Sequence, residues 1–236
     1  MSFGRYYVSM GPTLPPMVKK LVITCGVVYL LQMLGDGRWM IGIFGLTPLS
    51  VWAKLSVWQI LTYLFLHGSF WHLFWNMFAL WMFGSELERY WGSRQFLWFF
   101  LFAGMGAGVV SIGFEPFSPV PTIGASGSVY GILMAYGMMF PERLVYLYFL
   151  FPVKVKYFIF FLGIVTFISA FGSTGSAVSH VAHLGGMVVS FLYLKGWLSV
   201  SKLRQDYYRW RLRKMRNQFK VYDGKRGKRE DDFWIN

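Results

Sequence analysis

Six apolar runs punctuate this sequence, near residues 18–35, 71–91, 95–114, 125–140, 157–173 and 178–198. As helices, such runs approach the length of about 20 residues that crosses a hydrocarbon core of roughly 30 Å. The 236 residues are 56% hydrophobic and 21% aromatic. Ordinary globular domains hold about 45–50% apolar residues, and a soluble fold has no interior large enough for this excess. The runs therefore predict an all-α, polytopic membrane protein with a bundle of six transmembrane helices. No run has the short apolar core and small-residue cleavage site of a signal peptide, so the first span is expected to persist. Cys25, the single cysteine, lies inside that span and is read as packing.

The 23 Lys and Arg against 10 Asp and Glu give a formal net charge of +13. In a soluble protein that excess would point to nucleic acid. Here the basic residues lie between and after the apolar runs, so they report topology and no nucleic-acid partner is expected. An even number of spans puts both termini on one side. With the termini inside, all the Lys and Arg except Arg38 and Lys54 are cytoplasmic. The expected organisation is a cytoplasmic N-terminal segment (1–17), a six-helix membrane domain (18–198) and a basic cytoplasmic tail (199–236), multi-pass in a cell (inner) membrane. The tail is read as solvated or membrane-associated. Between Gly35 and Phe70 the chain is too polar and glycine-broken to span, yet it carries Trp39, Trp52 and Trp58. This stretch is expected to be a large first loop lying in the interface, where tryptophan is enriched.

Polar groups inside a span cost free energy unless paired or facing a cavity, so each marks a candidate site. They are His72 and Asn76 at the start of the second span, Glu88 at its end, Ser126 at the start of the fourth, and His180 and His183 early in the sixth. His67 immediately precedes the second span. Spans two, four and six all enter from the outer face, so Ser126, His183, His72 and Asn76 are predicted to lie at similar depth and to share one outward-opening pocket. Small residues bring spans four and six together: Gly124, Gly127 and Gly131 on one, Ser179, Ala182, Gly186 and Ser190 on the other. Ser126 and Tyr130, at i and i+4, share a face.

A serine hydroxyl becomes a useful nucleophile when a neighbouring base takes its proton, and imidazole suits that task near neutral pH. Ser126 and His183 supply such a pair. No Asp or Glu occurs from Leu144 to Gln205, so the expectation is a dyad. Donors for an oxyanion are available in His72 and Asn76, one turn apart on one helix face, and in the Ser126 backbone N–H at a helix start.

Gly124-Ala125-Ser126-Gly127 with Tyr130, and Ala182-His183-Leu184-Gly185-Gly186, resemble the motifs of the rhomboid family of intramembrane serine proteases. So do His67, His72 and Asn76 in HGSFWHLFWN, and Gly84, Glu88 and Gly92 in a Gly-x-x-x-Glu-x-x-x-Gly pattern. The resemblance spans roughly residues 18–198. It implies a rhomboid-like bundle that cleaves transmembrane protein substrates near the outer membrane edge, with Ser126 as nucleophile and His183 as base and acid. By the same resemblance His72, Asn76 and the Ser126 amide hold the oxyanion and Tyr130 stacks on His183. His67 braces the loop, and Glu88 ties helix ends near the inner face. Two departures are Gln59 after Trp58, where many members carry Arg, and Ser190 in place of a late glycine.

Rival readings follow from the same residues. A glycine-flanked serine in a membrane helix is often packing alone. His67, His72, His180 and His183 would make a metal site if they converged with carboxylates, but the carboxylates are missing and neither a metal nor another cofactor is expected. His180 is read as capping or packing. A non-catalytic rhomboid-like binder of membrane helices lacks a need for Ser126 and His183 together. A channel would distribute its polar residues along a path, whereas here they cluster at one end.

Overall fold

The structure, a computed structural model, describes residues 14–147, 150–172 and 180–196. The expected tail, most of the N-terminal segment and Ser179 lie outside the described residues. Helix α1 (Pro16–Leu34) is followed by three short helices, α2 (Gly37–Phe44), α3 (Pro48–Lys54) and α4 (Gln59–Thr62), and a 3₁₀ turn at Tyr63–Phe65. Helices α5 (Phe70–Ala79) and α6 (Ser85–Trp91) are joined by a π-helical segment at Leu80–Gly84. Then come α7 (Ser93–Phe114), α8 (Ser126–Met139), the strands β1 (Leu144–Leu147) and β2 (Phe151–Lys154), α9 (Val155–Gly172) and α10 (His180–Leu194).

Helices thus occupy every predicted apolar run, and the chain is predominantly helical. Among the described residues Pro16–Leu34 and Ser93–Phe114 are long and apolar enough to cross a membrane, and the α9 and α10 helices are shorter and apolar. The stretch expected to be a large first loop carries the short helices α2–α4. Asp36 caps α2 by accepting from the Arg38 and Trp39 amides at 3.0 and 3.1 Å, which supplies acceptors for donors that a helix start leaves free. The helical bundle also holds two short strands. The link between α8 and α9 is an antiparallel hairpin, with Leu144 opposite Lys154 and Leu147 opposite Phe151. Its apolar, branched and aromatic residues suit a pleated strand, and Pro141 breaks the helix before it.

The core sits where α7, α8 and α10 meet. Phe96, Phe99, Phe100, Ile132 and Met187 fill it, with Leu80, Phe83 and Leu87 from the α5–α6 helix and Ile159 from α9. Contact between α8 and α10 is backbone to backbone. A Cβ added at Gly186 would lie 2.0 Å from the Gly127 carbonyl oxygen, and one at Gly131 would lie 2.4 Å from Ser190 Oγ. In lipid, where helix association rests on packing rather than on the hydrophobic effect, such small-residue contacts are what hold helices together. Ser128 Oγ donates to the Phe100 carbonyl at 2.7 Å, adding a buried polar tie between α8 and α7. Many large apolar side chains point outward, among them Leu30 and Leu34 on α1, Trp75 on α5 and Phe160 on α9. That surface suits a hydrocarbon surrounding rather than water.

Candidate active site

The site is built at the N-terminal end of α8. The connection from α7 is pinned to the first loop by main-chain bonds: Leu49 N to Ser118 O at 3.1 Å, and reciprocal Leu46–Thr122 bonds at 2.9 and 2.8 Å. The Gly124 amide then donates to the Tyr63 carbonyl at 2.9 Å. Tyr63 is itself fixed, because its hydroxyl donates to the Gly104 carbonyl of α7 at 2.7 Å. Gly124 has φ +116°, and a Cβ there would lie 2.6 Å from His72 Nε2. Only glycine meets both demands, and its absent side chain lets the His72 ring lie against the main chain just before Ser126. Ser126 opens α8, so its N–H is among those a helix start leaves without an intrahelical acceptor.

On α10, His183 places Nε2 2.7 Å from Ser126 Oγ, an ordinary hydrogen-bond length. The close passage of Gly186, one turn after His183, over Gly127, directly after Ser126, brings the two helices together beside the pair. The His183 ring lies flat against Tyr130, with centroids 4.3 Å apart and planes 8° from parallel. His183 is buried, and among the described residues its Nδ1 has no hydrogen-bond partner. Among these residues no carboxylate orients the imidazole; the aromatic stack and the helix contact do so. His180 meets the same ring edge-on at 5.8 Å.

Ser69 caps α5 by accepting from the His72 amide at 3.2 Å. One turn later Asn76, buried, donates Nδ2 to the His72 carbonyl at 2.9 Å. An amide nitrogen carries two hydrogens, so this bond fixes the side chain and leaves a donor. His67 is almost fully buried and edge-on to His72, centroids 5.1 Å apart. Its Nδ1 lies 3.3 Å from the Phe65 carbonyl. Glu88 lies elsewhere, at the far end of the α5–α6 helix. Its carboxylate accepts from the Met17 amide at 2.8 Å, the Val18 amide at 2.7 Å and the Ser93 hydroxyl.

Gln32 and Tyr63 escape a reading of the sequence, and Gln59 stands out there only as a departure from the family's pattern. Gln32, buried on α1, donates to the His67 carbonyl at 3.3 Å and accepts from the His67 amide at 3.1 Å. Gln59 accepts from the Thr47 amide and donates to the Ile43 carbonyl, both at 3.1 Å. Tyr63 holds the strand-like approach to Ser126. A lone glutamine inside an apolar run is the one signal available; for Tyr63 there is none, because its partners are main-chain atoms. The four histidines form two edge-on pairs instead of converging, and among the described residues no group of three His, Cys, Asp or Glu is arranged to hold a metal ion.

The family model of the Rhomboid domain matches residues 54–200. The chain belongs to the rhomboid family. The mitochondrial Rhomboid protein 1 of Saccharomyces cerevisiae is 33% identical over 153 residues, 60% of this chain and 42% of the yeast protein. Rhomboid protease GluP of Bacillus subtilis is 33% identical over 149 residues, 63% of this chain and 27% of that one. Rhomboid protease GlpG of Salmonella paratyphi A is 27% identical over 179 residues, 74% of this chain and 60% of that one. This rhomboid chain thus matches 27%, 42% and 60% of these relatives' lengths. Membership makes it a membrane protein, in keeping with its two long apolar helices and its outward-facing apolar side chains.

Proposed function

We propose that this rhomboid is an intramembrane serine endopeptidase that hydrolyses peptide bonds in or near transmembrane segments of other membrane proteins. The observation that carries the reading is the 2.7 Å separation of Ser126 Oγ and His183 Nε2. Ser126 Oγ attacks the scissile carbonyl while His183 Nε2 takes its proton. The tetrahedral oxyanion is held by the Ser126 N–H with Asn76 and His72, and donors of this kind are each worth about a hundredfold to a thousandfold in rate. His183 then passes the proton to the leaving amine, and water, activated the same way, releases the acyl group from Ser126. For Nε2 to accept, the imidazole carries its hydrogen on Nδ1. The face of Tyr130 steadies the ring and the imidazolium that forms on it, the task of an aspartate in a triad.

Six spans, cytoplasmic termini and a site opening to the outer face complete the proposal. The placement of Lys and Arg supports it. Substrate helices should carry small or helix-destabilising residues at the cut, since a carbonyl within an intact helix is already hydrogen-bonded. A fluorophosphonate probe tests the centre directly. Labelling of the native protein, with labelling and substrate cleavage lost in Ser126→Ala and cleavage reduced on the order of 10⁶-fold in His183→Ala, is the expected result. Undiminished cleavage by folded Ser126→Ala overturns it.

A further inference from the structure

Away from the serine, an apolar groove of about 490 Å³ runs between α8, α9 and α10. Gly137 on α8, Gly163 and Phe167 on α9, and Leu184 and Met187 on α10 line it, and among the described residues Lys156 is the one charged group in the lining. From Lys156 to Phe167 the groove follows eleven residues of α9. At 1.5 Å per residue that is roughly 16 Å, about half of a 30 Å hydrocarbon core and so the depth of one leaflet. Lys156 stands at the mouth, where α9 leaves the hairpin.

Charge at that mouth is unbalanced in favour of an anion. Lys154 and Lys156 share one carboxylate, that of Glu142, Lys154 at 2.8 Å and Lys156 on the other oxygen. Arg143 is paired with Glu86. One positive charge of the lysine pair is therefore left uncompensated by this cluster. The adjoining hairpin exposes Leu144, Tyr146 and Phe151. A two-stranded hairpin is marginal alone in water, and these side chains suit the boundary between headgroups and acyl chains.

We propose that the groove is a binding site for one anionic phospholipid, with its phosphate at Lys156 and Lys154 and one acyl chain laid along α9 toward Leu184. The groove's leaflet-deep length, its apolar lining and the single cationic end select this occupant over a protein helix, which would bring its own polar termini and need a longer track. Naming the leaflet as the inner one rests on the orientation proposed above; the binding itself does not.

The test uses the full chain in a neutral detergent with phosphatidylglycerol and phosphatidylcholine of identical acyl chains in equal amount, and counts lipids retained by native mass spectrometry. One retained phosphatidylglycerol per chain is expected, preferred about fivefold per lysine contact, with the preference falling by that factor in Lys156→Gln. Excess glycerol phosphate should not displace it, since the acyl chain supplies much of the hold. Gly163→Phe should lower retention of both lipids. Phosphatidylglycerol carrying a photoreactive group at the chain end should label the α10 peptide containing Leu184 and Met187, a readout independent of whether Gly163→Phe folds. Equal retention of the two lipids, displacement by glycerol phosphate, or labelling confined to α1 and α7 overturns the proposal. Ser126→Ala should bind the lipid as the native chain does, so a failure of the protease reading leaves this result intact and a failure here leaves that one.

Discussion

At the Ser126 end of α8 hydroxyl, amide and imidazole groups meet one another, whereas at its Met139 end carboxylates meet guanidinium and ammonium groups. Ser126 bonds His183, which stacks on Tyr130, and Asn76 bonds the His72 carbonyl, with no ion pair among them. Beyond Met139, Glu86 receives both Arg143 and the Tyr136 hydroxyl, and Glu142 receives Lys154 and Lys156. Arg143 also lies 4.2 Å from the centre of the Phe140 ring. Among the described residues no carboxylate meets His183; the Tyr130 ring stacks on it where a triad would place an acid. Formal charge is instead used where the proposed topology meets the cytoplasm and water lowers its cost. The Ser126 end is organised for proton transfer; the other fixes helix ends.

The sharpest way to break this contrast is at Asn76. If its free amide hydrogen serves the oxyanion, Asn76→Ala should lower the turnover number about a hundredfold to a thousandfold, with the Michaelis constant nearly unchanged and the melting temperature little affected. Asn76→Asp keeps the shape and places a carboxylate at this end of the molecule. It should be at least as impaired, since an acceptor faces the developing negative charge. Turnover in Asn76→Ala within a few-fold of the native protein would remove Asn76 from the site.

At the opposite end Glu88 binds the start of α1 through two amides and Ser93. A negative charge at a helix N-terminus is favoured by the peptide dipoles, and hydrogen bonds to a charged group are stronger than neutral ones. Glu88→Gln retains one acceptor oxygen but turns an NH₂ toward a donor. The expected loss is about 2 kcal/mol of stability, read by thermal or denaturant unfolding. The rate of Ser126 modification per folded molecule should not move. A changed rate at unchanged stability would show that the two ends are coupled.

Much of this division was legible in the residues. Apolar runs marked the helices because a membrane tolerates little else over that length, and Ser126, His183, Asn76 and Glu88 stood out because polar groups there need a reason. What escaped was structure made by main-chain atoms. The short helices α2–α4 carry no long amphipathic period, and the hairpin's sequence, LVYLYFLFPVK, is equally apolar as helix or strand. Gln32, Gln59 and Tyr63 hold carbonyls and amides of segments distant in sequence, and no pattern of side chains encodes such partners. The groove on α9 was hidden for the same reason: it comes from three helices meeting around Gly137 and Gly163.

The smallest effect expected concerns the hairpin. Lys154 and Lys156 hold the Glu142 carboxyl down to about 2 from an ordinary 4.5, mainly through their hydrogen bonds. With the folded value depressed, this tie contributes fully above pH 4.5 and is lost as pH falls toward 2. The cluster is open to solvent, so salt should weaken it. Amide exchange across Leu144–Lys154 should therefore quicken between pH 4.5 and 2, after correction for intrinsic exchange rates. In Glu142→Gln exchange should be quicker already at neutral pH and lose that acid dependence. Raising salt should move the native chain toward the Glu142→Gln pattern while leaving exchange at the start of α8 unchanged, because no ion pair holds that end. An equal salt response at both ends would mean that charge, and not packing of Gly186 on Gly127, positions the serine.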